Sequence, residues 1–217
     1  MSASNVRRMG SLALAGVVLF ATTCTAAQFV RSDLNWIRAP LSSYLRGDYG
    51  WGVKAAYFAL SGAMLVLGLG YYRTLAASAR SGAPLLLFAA GAIALVVTAL
   101  AESGSRSGPN GLEAFVHNLA AATAFLTVTT AMLLQSWRFR GDARWRHRFA
   151  VAFTLAILCF AAVWWHAFLV ESSRGLTQKT VIALIVGWLA LAAHWLRSDQ
   201  IPAIAAASGE GTPGGSA

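Results

Sequence analysis

Charge is scarce in this 217-residue chain. Asp, Glu, Lys and Arg together make up 12% of it, about half the usual share of a soluble domain. A chain this poor in charge and this rich in apolar residues (57%, mean hydropathy +0.59) cannot keep a soluble surface, which excludes a water-soluble globular protein. Cysteine is nearly absent. Cys24 and Cys159 both lie inside apolar runs, with neither metal-ligand spacing nor a loop position suited to a disulfide. Gly-rich phosphate loops, Walker motifs, nucleophile elbows and metal-ligand runs such as HExxH are missing too, which removes the motif-bearing enzyme classes. No charged residue stands near the middle of an apolar run, which argues against a proton-coupled pump or ion carrier.

What the chain does have is six long apolar runs: Met9–Val30, Ala55–Tyr72, Leu85–Ala101, His117–Ser136, Phe149–Val170 and Thr180–Arg197. Each holds about 17–22 residues, the length a helix needs to cross a hydrocarbon layer of ~30 Å at ~1.5 Å per residue. In lipid the backbone must satisfy its own hydrogen bonds, so the runs are expected to be helices. The expected fold is all-α, a polytopic bundle of six membrane-spanning helices over residues 9–197. A short cytoplasmic segment, 1–8, precedes it, and a disordered cytoplasmic tail, 198–217, follows. Arg7 and Arg8 before the first run resemble a signal peptide, but that run exceeds the ~7–15 residues of a cleavable h-region, so it reads as a retained helix.

Assigning alternate connections to opposite sides puts ten basic residues on one side, five of them arginines within Trp137–Arg148, and seven on the other. The positive-inside rule then places both termini and the Trp137–Arg148 loop in the cytoplasm, and the protein in the cytoplasmic membrane. Trp36, Trp51, Trp164 and Trp165 fall at the outer span ends, and Trp137, Trp145 and Trp195 at the inner ends. Two interfacial aromatic belts are expected from this placement. The formal charge of +9 sits at helix ends, where it meets anionic headgroups, and no nucleic-acid partner is expected. In the long outer connection, Pro40–Arg46 reads as a short interfacial helix closed by Gly47, with Leu41, Tyr44 and Leu45 on one face. Small residues (Ser61, Gly62, Gly68, Gly70, Gly91 and Ala92) are expected to let helices approach closely.

The ionisable residues nearest the membrane gather toward the outer side. Glu102 closes the third run, His117 opens the fourth, and His166 lies close to the end of the fifth. Asp33, Glu113, Glu171 and Arg174 stand in the adjoining connections. Together they are the candidate ligand-binding cluster. Imidazoles and carboxylates are also competent general acid–base groups and metal ligands, so Glu102, His117 and His166 are the candidate catalytic trio; they are also the residues that could ligate a metal, although none has diagnostic spacing and no metal is expected. No cofactor is expected: His117 and His166 lie on one side and His147 and His194 on the other, a poor arrangement for axial haem pairs. The leading reading is a non-enzymatic protein that meets membrane lipids or a membrane protein partner through this outer cluster. A small intramembrane hydrolase or lipid-modifying enzyme is the second reading, and a small-molecule or lipid transporter the third.

Leu41-Ser42-Ser43-Tyr44, Gly50-Trp51-Gly52, the histidine opening the fourth run and Gly175-Leu176-Thr177-Gln178-Lys179 form a pattern. It resembles the DUF998 family of six-helix bacterial and archaeal membrane proteins and is more distantly similar to the Frag1/DRAM/Sfk1 type. Lys179 departs from that pattern, which has Arg in the Gly-x-x-Gln/Glu-Arg stretch. The resemblance implies a fold and a topology over residues 9–197, and no activity.

Overall fold

Each apolar run becomes one helix: α1 Ala3–Val30, α2 Gly50–Thr74, α3 Gly82–Leu100, α4 Leu112–Arg140, α5 Phe149–Phe168 and α6 Arg174–Ser198. The computed structural model describes residues 2–101, 111–168 and 174–198. Of the expected tail, 198–217, Ser198 is the last residue of α6 and 199–217 lie outside the described residues. So do Glu102 and Glu171. Among the described residues every regular element is helical. The shortest helix, α3, has 19 residues and is about 28 Å long, close to the hydrocarbon thickness. Helices α2, α4 and α6 overrun their apolar runs by about a turn or more, because extending a helix into the headgroup zone adds one hydrogen bond per residue fixed. Polar residues such as Lys54, Arg138 and Arg140 are therefore helical.

The helices form a closed ring. Each packs on its neighbour in sequence, α6 returns to α1, and α2 reaches across to α6. Helix α4 packs on α3 and α5 and has no comparable packing on α6, so space remains between those two. Glycines set the closest approaches. A Cβ on Gly10 of α1 would stand 2.3 Å from the Arg197 backbone nitrogen, and one on Gly16 would stand 2.7 Å from the Ala59 carbonyl oxygen. Only a bare Cα permits this spacing. Gly68, Gly70 and Gly91 also face neighbouring helices, as expected, whereas Gly62 faces open space. Trp188 sits in the centre. Its indole N–H donates to the Ala152 carbonyl of α5 (2.9 Å), and its ring packs against Phe88 of α3.

At the arginine-rich end the connection after α4 is tightly built. Asp142 is buried; its carboxylate accepts from the backbone N–H of Ala76 and of Arg144, each at 2.9 Å. Arg144 donates to the Thr74 carbonyl (2.6 Å) and Arg148 to the Trp195 carbonyl (3.2 Å), near the C-termini of α2 and α6. Carbonyls in a last turn have no backbone N–H partner inside their helices, and a cation there also meets the negative end of the helix dipole. The structure corrects one expectation here. Trp145 is not part of an aromatic belt: it is fully buried, stacked on Phe139 and edge-on to Tyr71, beneath the guanidinium of Arg148. Trp137 is about half exposed, as an interfacial residue should be.

Candidate functional site

At the other end, the connection between α1 and α2 folds over the ring as a cap. Residues Leu41–Leu45 form one short 3-10 helix, with Pro40 before it and Gly47 after it at φ +84°. Leu41, Tyr44 and Leu45 are buried, as the i, i+3, i+4 pattern requires. The segment touches α1, α2, α3 and α6.

The start of α6 locks onto this cap. The Leu176 N–H donates to the Ile37 carbonyl (2.8 Å), and the Leu41 N–H donates to the Gln178 side-chain oxygen (2.8 Å). The Lys179 ammonium donates to the Trp36 carbonyl and lies 5.3 Å from the centre of the Tyr44 ring. Gly175 makes the approach feasible: a Cβ there would stand 2.5 Å from the Ala39 oxygen. The Leu-Ser-Ser-Tyr and Gly-Leu-Thr-Gln-Lys stretches are thus two halves of one joint.

Beneath the cap lies a cavity of about 550 Å³, bounded by the cap and by α4, α5 and α6. His117, Asn118, Ala121, Ala122, Phe125 and Leu126 line it from α4. Val163, Trp164, His166 and Ala167 line it from α5, Arg174 and Gln178 from α6, and Pro40 and Ser42 from the cap. Asn118, Trp164, Ala167 and Arg174 are exposed, so the cavity opens at the bundle surface. Its polar groups stand at the capped end and its apolar groups lie deeper along α4 and α5. Five of its residues (Ser42, His117, Ala121, Phe125 and Gln178) also line a second, apolar cavity of about 70 Å³ that reaches into the ring centre beside Leu60, Met64 and Ile185.

Two histidines share the larger cavity, each fixed by its Nδ1. His117 is buried, and its Nδ1 lies 2.6 Å from the carbonyl of Ala101, just past the end of α3. A carbonyl only accepts, so Nδ1 carries a proton and donates; in the neutral ring that leaves the lone pair on Nε2. His166 places Nδ1 2.7 Å from the Thr177 hydroxyl oxygen, and that hydroxyl gives its single proton to the Arg174 carbonyl (3.1 Å). With its proton so directed, the hydroxyl accepts from His166 Nδ1, and in the neutral ring Nε2 can accept in turn. The arrangement joins α3 to α4 and α5 to α6 and brings two imidazoles to the wall of one cavity.

The other expected site residues divide. Arg174 lines the cavity. Asp33 does not: it forms an exposed bidentate pair with Arg31 (2.8 Å for both bonds), which holds its carboxyl below the usual range. Arg31 also donates to the Arg46 carbonyl, so this pair braces the cap. Glu113 is exposed in the first turn of α4, where it complements the helix dipole. Glu102 and Glu171 lie outside the described residues. Among the described residues no group of three His, Cys, Asp or Glu side chains could hold a metal ion. Asn118, Gln178 and Ser42 belong to the cavity but carry no charge, so a search for ionisable groups passes over them.

Six spanning helices in a closed ring, with a polar-rimmed cavity at one end, define a multi-pass membrane protein. The family model described as "Protein of unknown function (DUF998)" matches residues 14–195, and the chain belongs to that family. No curated protein and no solved structure matches it.

Proposed function

We propose that this protein binds a membrane lipid at its capped end, with the headgroup at the polar rim and an acyl chain along α4 and α5. The observation that carries this reading is the amphiphilic cavity. Its volume of about 550 Å³ falls within the ~300–1,000 Å³ usual for ligand sites. Arg174, Asn118 and Gln178 supply donors for headgroup oxygens, and the two Nε2 atoms accept from hydroxyl or ammonium groups. Phe125, Leu126 and Trp164 offer the apolar wall. The bundle sits in the cytoplasmic membrane with the arginine-rich end inside, so the cavity takes lipid from the outer leaflet; the arginine bias supports this orientation.

Ala121 stands where the two cavities meet. Ala121→Phe fills that junction, and mass spectrometry of lipid copurified with the protein is expected to show its loss. Identical lipid content in wild type and variant would overturn the proposal. A second reading, acid–base chemistry on a bound lipid, is favoured by the two imidazoles that line one cavity. Lipid turnover by purified protein that ceases in His166→Ala would select it.

A further inference from the structure

The five arginines within Trp137–Arg148 are not equivalent. Arg144 and Arg148 are committed to the carbonyls of Thr74 and Trp195, and Arg146 is exposed. Arg138 and Arg140 line a separate surface pocket of about 430 Å³, with Ser78, Ala79, Trp137 and Gly141 as its other walls. The Arg140 guanidinium lies over the Trp137 ring at 5.1 Å. Arg138 differs from the rest, because its Nε is buried and has no hydrogen-bond partner. A buried charged donor left unpaired bears its full desolvation penalty, so an acceptor is missing. Among the described residues none supplies one. Among the described residues no acid lines the pocket, and the nearby carboxylate of Asp142 is occupied by two backbone N–H groups.

Beside two guanidinium groups an anion is the best-matched acceptor, and it must reach this depth in the membrane. We propose that the pocket binds the phosphate of an anionic membrane lipid. Arg138 is its principal donor, Arg140 a second cation, and the Ser78 hydroxyl an additional donor. A planar guanidinium matches two phosphate oxygens at once, and anionic headgroups concentrate cations at this level. Trp137 marks the headgroup boundary, and its contacts with Phe149 and Phe153 (ring centres 6.0 and 5.7 Å) give the lipid's chain an apolar surface. This site lies at the opposite end of the bundle from the cavity under the cap and does not depend on it.

Native mass spectrometry of the full chain in detergent tests the assignment, with phosphatidylglycerol and phosphatidylcholine of matched acyl chains. Wild type is expected to retain phosphatidylglycerol about tenfold better, the worth of one charge-assisted hydrogen bond. Arg138→Gln should abolish that preference. Arg146→Gln removes the same charge outside the pocket and should preserve it. Equal retention of the two lipids by wild type would overturn the proposal without any variant. So would an equal loss in both variants, which marks a general charge effect. Displacement of phosphatidylglycerol by an equal concentration of inorganic phosphate would also overturn it, by assigning the pocket to a free anion.

Discussion

Replacing Gly175 by Ala sets two effects of opposite sign against each other. Helix propensity alone favours the change, since Ala is better than Gly in a helix by at most ~1 kcal/mol. The joint opposes it. The new Cβ would stand 2.5 Å from the Ala39 oxygen, 0.9 Å inside the 3.4 Å at which ordinary contact begins, and 2.7 Å from the Ala39 and Arg38 carbonyl carbons. All of these are backbone atoms and cannot rotate away, so α6 and the cap must separate. A shift of that size breaks the Leu176–Ile37 and Gln178–Leu41 hydrogen bonds. At ~1 kcal/mol each they outweigh the propensity gain, and the part-buried Leu41 N–H and Gln178 oxygen left unpaired add to the loss. The expected net destabilisation is ~1–3 kcal/mol. Thermal unfolding in detergent, followed by tryptophan fluorescence, reads it. Gly187→Ala is the control: a Cβ there meets nothing within 4 Å, so this variant should match or exceed wild type. The reasoning fails if Gly175→Ala proves as stable as Gly187→Ala.

Asp142→Ala leaves the Ala76 and Arg144 N–H groups without their acceptor and should cost ~2–4 kcal/mol in the same assay; Asp142→Asn, which keeps one carbonyl oxygen, should cost less. For orientation, Gly141→Cys places a thiol at an exposed position of the arginine-rich end. A membrane-impermeant maleimide should label it only after cells are permeabilised, and labelling of intact cells would reverse the proposed topology.

The spans were legible because lipid leaves the backbone one solution, and a run of about twenty apolar residues announces it. Helix ends were less legible. Hydropathy marks where the hydrocarbon stops, whereas α4 continues through Leu112–Arg140 because its hydrogen-bond ladder does not need lipid. Trp145 misled for a related reason. Its arginine neighbours in sequence suggest an interface, but burial depends on Phe139 and Tyr71, which reach it only through the fold. The candidate site was half visible. His117, His166 and Arg174 announce themselves as ionisable groups at one end. Their convergence on one cavity, and the separation of Asp33 from it, depends on how each helix is rotated about its axis. Gln178 shows the limit most clearly, since its partner Leu41 is 137 positions away.

That distance has a consequence for the making of the protein. A ribosome adding about 5–20 residues per second needs about 7–27 s to travel from Leu41 to Gln178. Throughout that interval the cap has been synthesised but cannot be fastened, and α1 waits for α6 to close the ring. The cavity under the cap comes into being with the last helix. A chain truncated before Arg174 would hold five correctly formed spans and no site.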